Sequence, residues 1–125
     1  MGTCYKDLKA WQKSMELTIE VYRATQGFPN AEMYGLTSQM RRAAVSVPSN
    51  IAEGKGKSTD AVFALFLCHA RGSLQELETQ TLVAARLGYL QDEAAARLAV
   101  LTLETGKMLN GLIQFLGKGR RRVRA

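Results

Sequence analysis

Apolar side chains recur at spacings of three and four in four separate stretches, and no stretch alternates apolar with polar residues as a half-buried strand would. That periodicity predicts an all-α fold. In the first stretch, about Tyr5 to Gln26, Leu8, Trp11, Met15, Ile19 and Tyr22 share one helix face, and Leu17, Val21 and Ala24 form a narrower stripe beside it. Thr3 stands where a cap belongs, and Gly27 followed by Phe28-Pro29 reads as a stop. The second stretch, Tyr34 to about Gly54, carries Leu36, Met40, Ala43, Ala44, Val47 and Ile51 in helical phase. Pro48 falls inside it, with no backbone donor and a ring that crowds the carbonyl of Ala44. Ile51 stays in phase beyond the proline, so the expectation is a helix that continues with a kink. Ser46, Ser49 and Asn50 are available to the backbone groups set free.

After Lys55-Gly56-Lys57, Ser58 is the expected cap of a third helix that reaches Leu87 and stops at Gly88. Val62, Phe66, His69, Ser73, Leu77, Thr81, Ala84 and Leu87 share one of its faces; Phe63, Leu67, Ala70, Leu74 and Leu77 share another. Gly72, beside Ser73 in mid-helix, costs about 1 kcal/mol relative to Ala, and close approach of another helix is the expected compensation. A fourth helix from Asp92 to Gly117 carries Leu98, Leu101, Thr105, Met108, Leu112 and Phe115, with Asp92 and Glu93 suited to its N-terminal dipole. Four such helices on short links predict an antiparallel up-and-down four-helix bundle. Residues 1–117 form the single bundle domain in this reading, and 118–125 a basic flexible C-terminal tail.

The tail matters because it holds the charge. Of a formal net charge of +6, Lys118, Arg120, Arg121, Arg122 and Arg124 supply five, while the other 117 residues carry 12 basic and 11 acidic side chains. Such a run is either a solvated, solubilising terminus or an arm that contacts phosphates. No apolar run approaches the roughly 18 residues of a membrane span, so no membrane role is expected. Cys4 and Cys68 stand in no metal or redox spacing, and no apolar leader precedes the first helix. A cytoplasmic, reduced protein is expected.

Catalytic patterns are missing. His69, the only histidine, is expected to be a packing residue of the core or a helix interface. Glu76 and Glu78 lack the following His of a carboxylate di-metal bundle. Gly54-Lys55-Gly56-Lys57 shares only composition with a phosphate loop. No enzymatic activity, metal or cofactor is expected.

Several stretches together resemble the four-helix-bundle family named for proteins encoded in intervening sequences of 23S ribosomal RNA genes. They are Leu8 to Tyr22, Phe28-Pro29 with Glu32, Tyr34 to Gly54 (YGLTSQMRRAAVSVPSNIAEG), Gly72 to Thr79 and Leu87 to Leu90. The likeness covers roughly residues 5–116; the Arg-rich tail lies beyond it. The resemblance implies an antiparallel four-helix bundle that assembles as a ring-like homopentamer, with no established enzymatic activity. A related group, the accessory protein of diversity-generating retroelements, is a basic pentameric barrel that binds a reverse transcriptase and nucleic acid.

The residues point the same way on assembly. Second apolar stripes on the first and third helices exceed what one bundle buries, and closed symmetry would cover them. Five copies at +6 each would also multiply weak phosphate contacts. The expectation is a non-enzymatic oligomer that binds RNA or DNA or acts as a scaffold, with Arg41, Arg42, Lys55, Lys57, Lys118, Arg120, Arg121, Arg122 and Arg124 as candidate phosphate contacts. The alternative is an adaptor for a protein partner such as a reverse transcriptase. Arg41 or Arg42 could instead pair with Glu76 or Glu78, and Lys55 and Lys57 could merely solvate a linker. Aromatic residues are not interleaved with the basic ones in sequence, so sequence-specific single-strand recognition is not expected.

Overall fold

Each predicted stretch is a helix in the computed structural model, which describes the backbone of residues 4–124 and the side chains of residues 4–118. The Thr3 cap lies outside the described residues. A 3-10 turn, Tyr5–Asp7, leads into α1 (Lys9–Thr25), and a second, Asn30–Glu32, into α2 (Leu36–Lys55); α3 (Asp60–Arg86) and α4 (Asp92–Arg124) follow. No strand occurs among the described residues.

Cross-helix contacts give the topology directly. Between α1 and α2, Thr18 meets Ala44 and Thr25 meets Arg41; between α2 and α3, Ser46 meets Ser73 and Gly54 meets Phe66. Arg71 meets Asn110 and Leu74 faces Gly106 between α3 and α4, while Lys13 pairs with Glu104 and Glu20 with Arg97 between α4 and α1. In every pair one number rises as the other falls, so all four neighbours run antiparallel. α1 and α3, like α2 and α4, lie across the diagonals, with no close backbone approach among the described residues.

The core is built from Leu17 and Val21, Met40, Val47 and Ile51, Leu67 and Leu77, and Leu98 and Leu109, all essentially inaccessible to water. On α1 the narrower stripe turns inward. The stripe of Met15, Ile19 and Tyr22 lies at the rim, with Ile19 46% and Tyr22 40% exposed. The reason is the polar-looking residues Ser14, Thr18 and Thr25, which are buried beside Leu17 and Val21. Their hydroxyls donate to carbonyls of their own helix, Trp11 at 2.8 Å, Ser14 at 2.7 Å and Val21 at 2.8 Å, so their burial leaves no donor unmet. Thr81 and Thr105 do the same on α3 and α4. On α3 the Phe63 to Leu77 stripe is the buried one. His69, expected in the packing, is exposed, with its ring centre 5.9 Å from that of Phe66.

α2 continues through Pro48 as expected, but the polar residues around the proline do not relieve it. The Ala44 carbonyl, which loses its partner four residues on, is reached by Thr18 Oγ1 from α1 at 3.1 Å. Asn50 Nδ2 donates instead to the Ser46 carbonyl at 2.8 Å and to Ser46 Oγ, which meets Ser73 Oγ at 2.8 Å and ties α2 to α3.

Three further expectations are corrected. Gly72 faces open space, and the close approach belongs to Gly54, where a Cβ would stand 2.5 Å from Phe66 Cβ and 3.0 Å from Phe63 Cδ1. Thr59, not Ser58, caps α3 by accepting from the Val62 N–H at 3.2 Å. Gly117 does not end α4, which runs on to Arg124. Lysine and arginine are good helix formers, which offsets part of the cost of Gly117 and Gly119. Gly88, with φ +81°, ends α3 as expected.

Candidate nucleic-acid interface

The basic candidates fall into two groups at different ends of the bundle. Arg41 and Arg42 sit early in α2, where its first turns pass the end of α1. Lys55 closes α2 fourteen residues after Arg41, a helical rise of about 21 Å. By the antiparallel order, the C-terminal end of α4, with Lys118, shares the Lys55 end. The structure brings Arg41 and Arg42 together and separates them from the lysines. The side chains of Arg120, Arg121, Arg122 and Arg124 lie outside the described residues.

Arg41 is half-buried and held in place. Its Nε donates to Thr25 Oγ1 at 2.9 Å, Nη2 donates to the Tyr22 carbonyl at 3.3 Å, and the guanidinium carbon lies 4.7 Å from the Tyr22 ring centre. Two of five N–H groups are thereby used, and three remain. Arg42 next to it is exposed. Neither makes an ion pair among the described residues, so the expected alternative of pairing with Glu76 or Glu78 is not realised. Both arginines line an open groove of about 400 Å³ formed by the end of α1, the Phe28–Tyr34 connection and the start of α2.

The connection is pinned by Glu32. One carboxylate oxygen accepts the Leu36 N–H at 3.1 Å, at the start of α2, and the other accepts the Tyr89 hydroxyl at 3.2 Å. The Tyr89 ring also packs 5.5 Å from Phe28. The hydrogen bond to Glu32 first, then burial and the Glu32 charge, push the Tyr89 hydroxyl above the ordinary tyrosine range. The α1–α2 and α3–α4 connections are thus fastened together at the groove's end of the bundle.

Lys55 and Lys57 are set differently. Their ammonium groups stand 6.0 Å and 5.5 Å from the ring centres of Phe63 and Phe66, close to the outer limit of a cation–π contact. They cap the α2–α3 corner and remain within reach of solvent.

The aromatic residues Tyr22 and Tyr34 line the arginine groove, which the sequence did not reveal, since no aromatic neighbours Arg41 or Arg42 in the chain. The usable signal was Tyr34, an aromatic placed just before the first periodic residue of α2.

A family profile described as 23S rRNA-intervening sequence protein matches residues 6–111. The chain belongs to this family. A solved structure described as a protein of unknown function from the S23 ribosomal protein family of Bacteroides thetaiotaomicron superposes with a TM-score of 0.75 at 21% identity, covering 83% of this chain and 97% of that one. It supports the fold. No curated protein matches the chain. Within the family match, Phe28, Glu32 and the Leu87–Leu90 turn meet around Tyr89, so these matching residues serve architecture, whereas Arg41 and Arg42 face a groove. Among the described residues no helix is long and apolar enough to cross a membrane.

Proposed function

We propose that this member of the 23S rRNA-intervening sequence family is a non-enzymatic, oligomeric protein that binds nucleic acid through phosphates or acts as a scaffold. The observation that carries the reading is the pair Arg41 and Arg42, adjacent in one open groove and without a carboxylate partner among the described residues. A guanidinium that is not neutralised by its own protein is suited to a phosphate.

Assembly as a ring-like homopentamer is the second part of the reading. Ile19, Tyr22 and Val45 leave apolar surface on the α1–α2 side, next to a shallow groove lined by Trp11, Met15 and Pro48. Burial against another copy would remove that surface from water. The reading predicts a particle of about 69 kDa, five times the 13.8 kDa chain, and RNA binding that weakens steeply with salt. Light scattering and fluorescence anisotropy on the full chain test the two parts separately.

An adaptor for a protein partner is the second reading. Leu82, Val83 and Leu103 favour it, since they leave apolar surface on α3 and α4. A particle that binds no RNA at any salt concentration would favour the adaptor.

A further inference from the structure

Tyr34 projects from the turn ahead of α2 with 92% of its surface exposed, and it makes no side-chain hydrogen bond or ring contact among the described residues. It shares the corner groove with Arg42 and with Arg41, whose guanidinium is held by Thr25 and Tyr22 and keeps three N–H groups free. An exposed aromatic residue therefore lines one groove with two arginines that make no ion pair among the described residues, although Arg42 also lines a neighbouring cavity with Glu76.

We infer that this groove is a subsite for an unpaired nucleotide of a single-stranded nucleic acid, the base stacking on Tyr34 and the adjoining phosphates held by Arg42 and the free N–H groups of Arg41. The inference deepens the nucleic-acid reading above and rests on it. Each part of the pairing has its own chemistry. A base offers a π-face that a tyrosine ring can cover, and its phosphate offers acceptor oxygens to a guanidinium. Bases within a duplex already stack on one another, so only an unpaired base can use the ring. An acidic peptide would satisfy the arginines and leave Tyr34 idle. RNA and single-stranded DNA share the required chemistry.

The experiment measures anisotropy of a labelled 12-nucleotide RNA of mixed sequence, the same DNA sequence and its duplex, with the full chain, Tyr34→Ala, Tyr34→Phe and Arg42→Ala. The expected result is single-strand affinity reduced about 5- to 100-fold in Tyr34→Ala, with an unchanged salt slope and near-parental binding by Tyr34→Phe. Arg42→Ala should lower the affinity and also reduce the slope of log affinity against log salt, by about 0.7 for one single-strand phosphate contact. A preference for the RNA or the DNA strand identifies the source and supports the assignment.

Parental binding by Tyr34→Ala, equal affinity for the duplex, or equal competition by polyglutamate would overturn it. With the parent still binding RNA in a salt-dependent manner, those results leave the broader nucleic-acid reading standing. Absence of RNA binding by the parent would overturn both. Helical circular dichroism is expected to match in all four proteins, because Tyr34 and Arg42 are exposed.

Discussion

The Thr18 hydroxyl on α1 lies 3.1 Å from the carbonyl oxygen of Ala44 on α2, the acceptor that Pro48 leaves without its backbone donor. The same hydroxyl is 2.7 Å from the Ser14 carbonyl, so its single hydrogen serves two acceptors. A proline in mid-helix is thereby matched by a threonine on the neighbouring helix, and the α1–α2 pairing is fixed at that level.

Thr18→Val is expected to cost about 1 kcal/mol, the net worth of a typical buried hydrogen bond. In a Pro48→Ala background the backbone N–H restored at that position reclaims the Ala44 carbonyl, and the Thr18→Val cost should shrink. Urea denaturation of the four proteins of this cycle measures the coupling. Equal costs in both backgrounds would show that Thr18 does not compensate for Pro48.

Gly54, near the end of α2, and Gly72, in the middle of α3, should respond in opposite directions to alanine. Gly54→Ala places a Cβ against Phe66 Cβ and Phe63 and is expected to destabilise by about 1–3 kcal/mol through overpacking. Gly72→Ala meets open space and is expected to stabilise by roughly 0.5–1 kcal/mol through backbone entropy. Thermal melts of the two variants compare them directly; a harmless Gly54→Ala would contradict the close α2–α3 packing.

The Tyr89–Glu32 contact predicts a stability change at alkaline pH. The folded hydroxyl ionises above the ordinary tyrosine value of 10.0, so the folded state holds the proton more tightly than the unfolded chain. Its contribution is therefore complete below about pH 10 and is lost as pH rises from there through the raised folded value. Chemical denaturation from pH 8 to 11.5 should show a steeper decline for the parent than for Tyr89→Phe, which lacks the titrating group. Parallel declines would mean that the contact contributes nothing to folding.

Helix number, order and most of the core were legible because the apolar period is long and unbroken in each stretch. The inner face of α1 was not, for a physical reason. Ser14, Thr18 and Thr25 count as polar in a periodic reading, yet each satisfies its hydroxyl on its own helix and packs beside Leu17 and Val21. Gly72 resembles a close-contact glycine because mid-helix position alone does not distinguish open space from a neighbouring ring. Gly54 resembles a terminator, being near the end of the helical period. At the candidate site, Arg41 and Arg42 could be picked out as a pair. Their groove could not, since it depends on a turn that brings Tyr34 beside them and on Glu76 and Glu78 standing beyond ion-pair distance.

The central claim is that Arg42 and its neighbour hold phosphate, and the most direct measurement is the affinity of the full chain for RNA over a series of salt concentrations, beside Arg42→Glu. The account predicts a linear fall of log affinity with log salt for the parent, and a loss of at least about tenfold with a shallower slope for Arg42→Glu, at unchanged helicity and particle mass. An affinity that is insensitive to salt, or an Arg42→Glu protein that binds RNA as tightly as the parent, would contradict it.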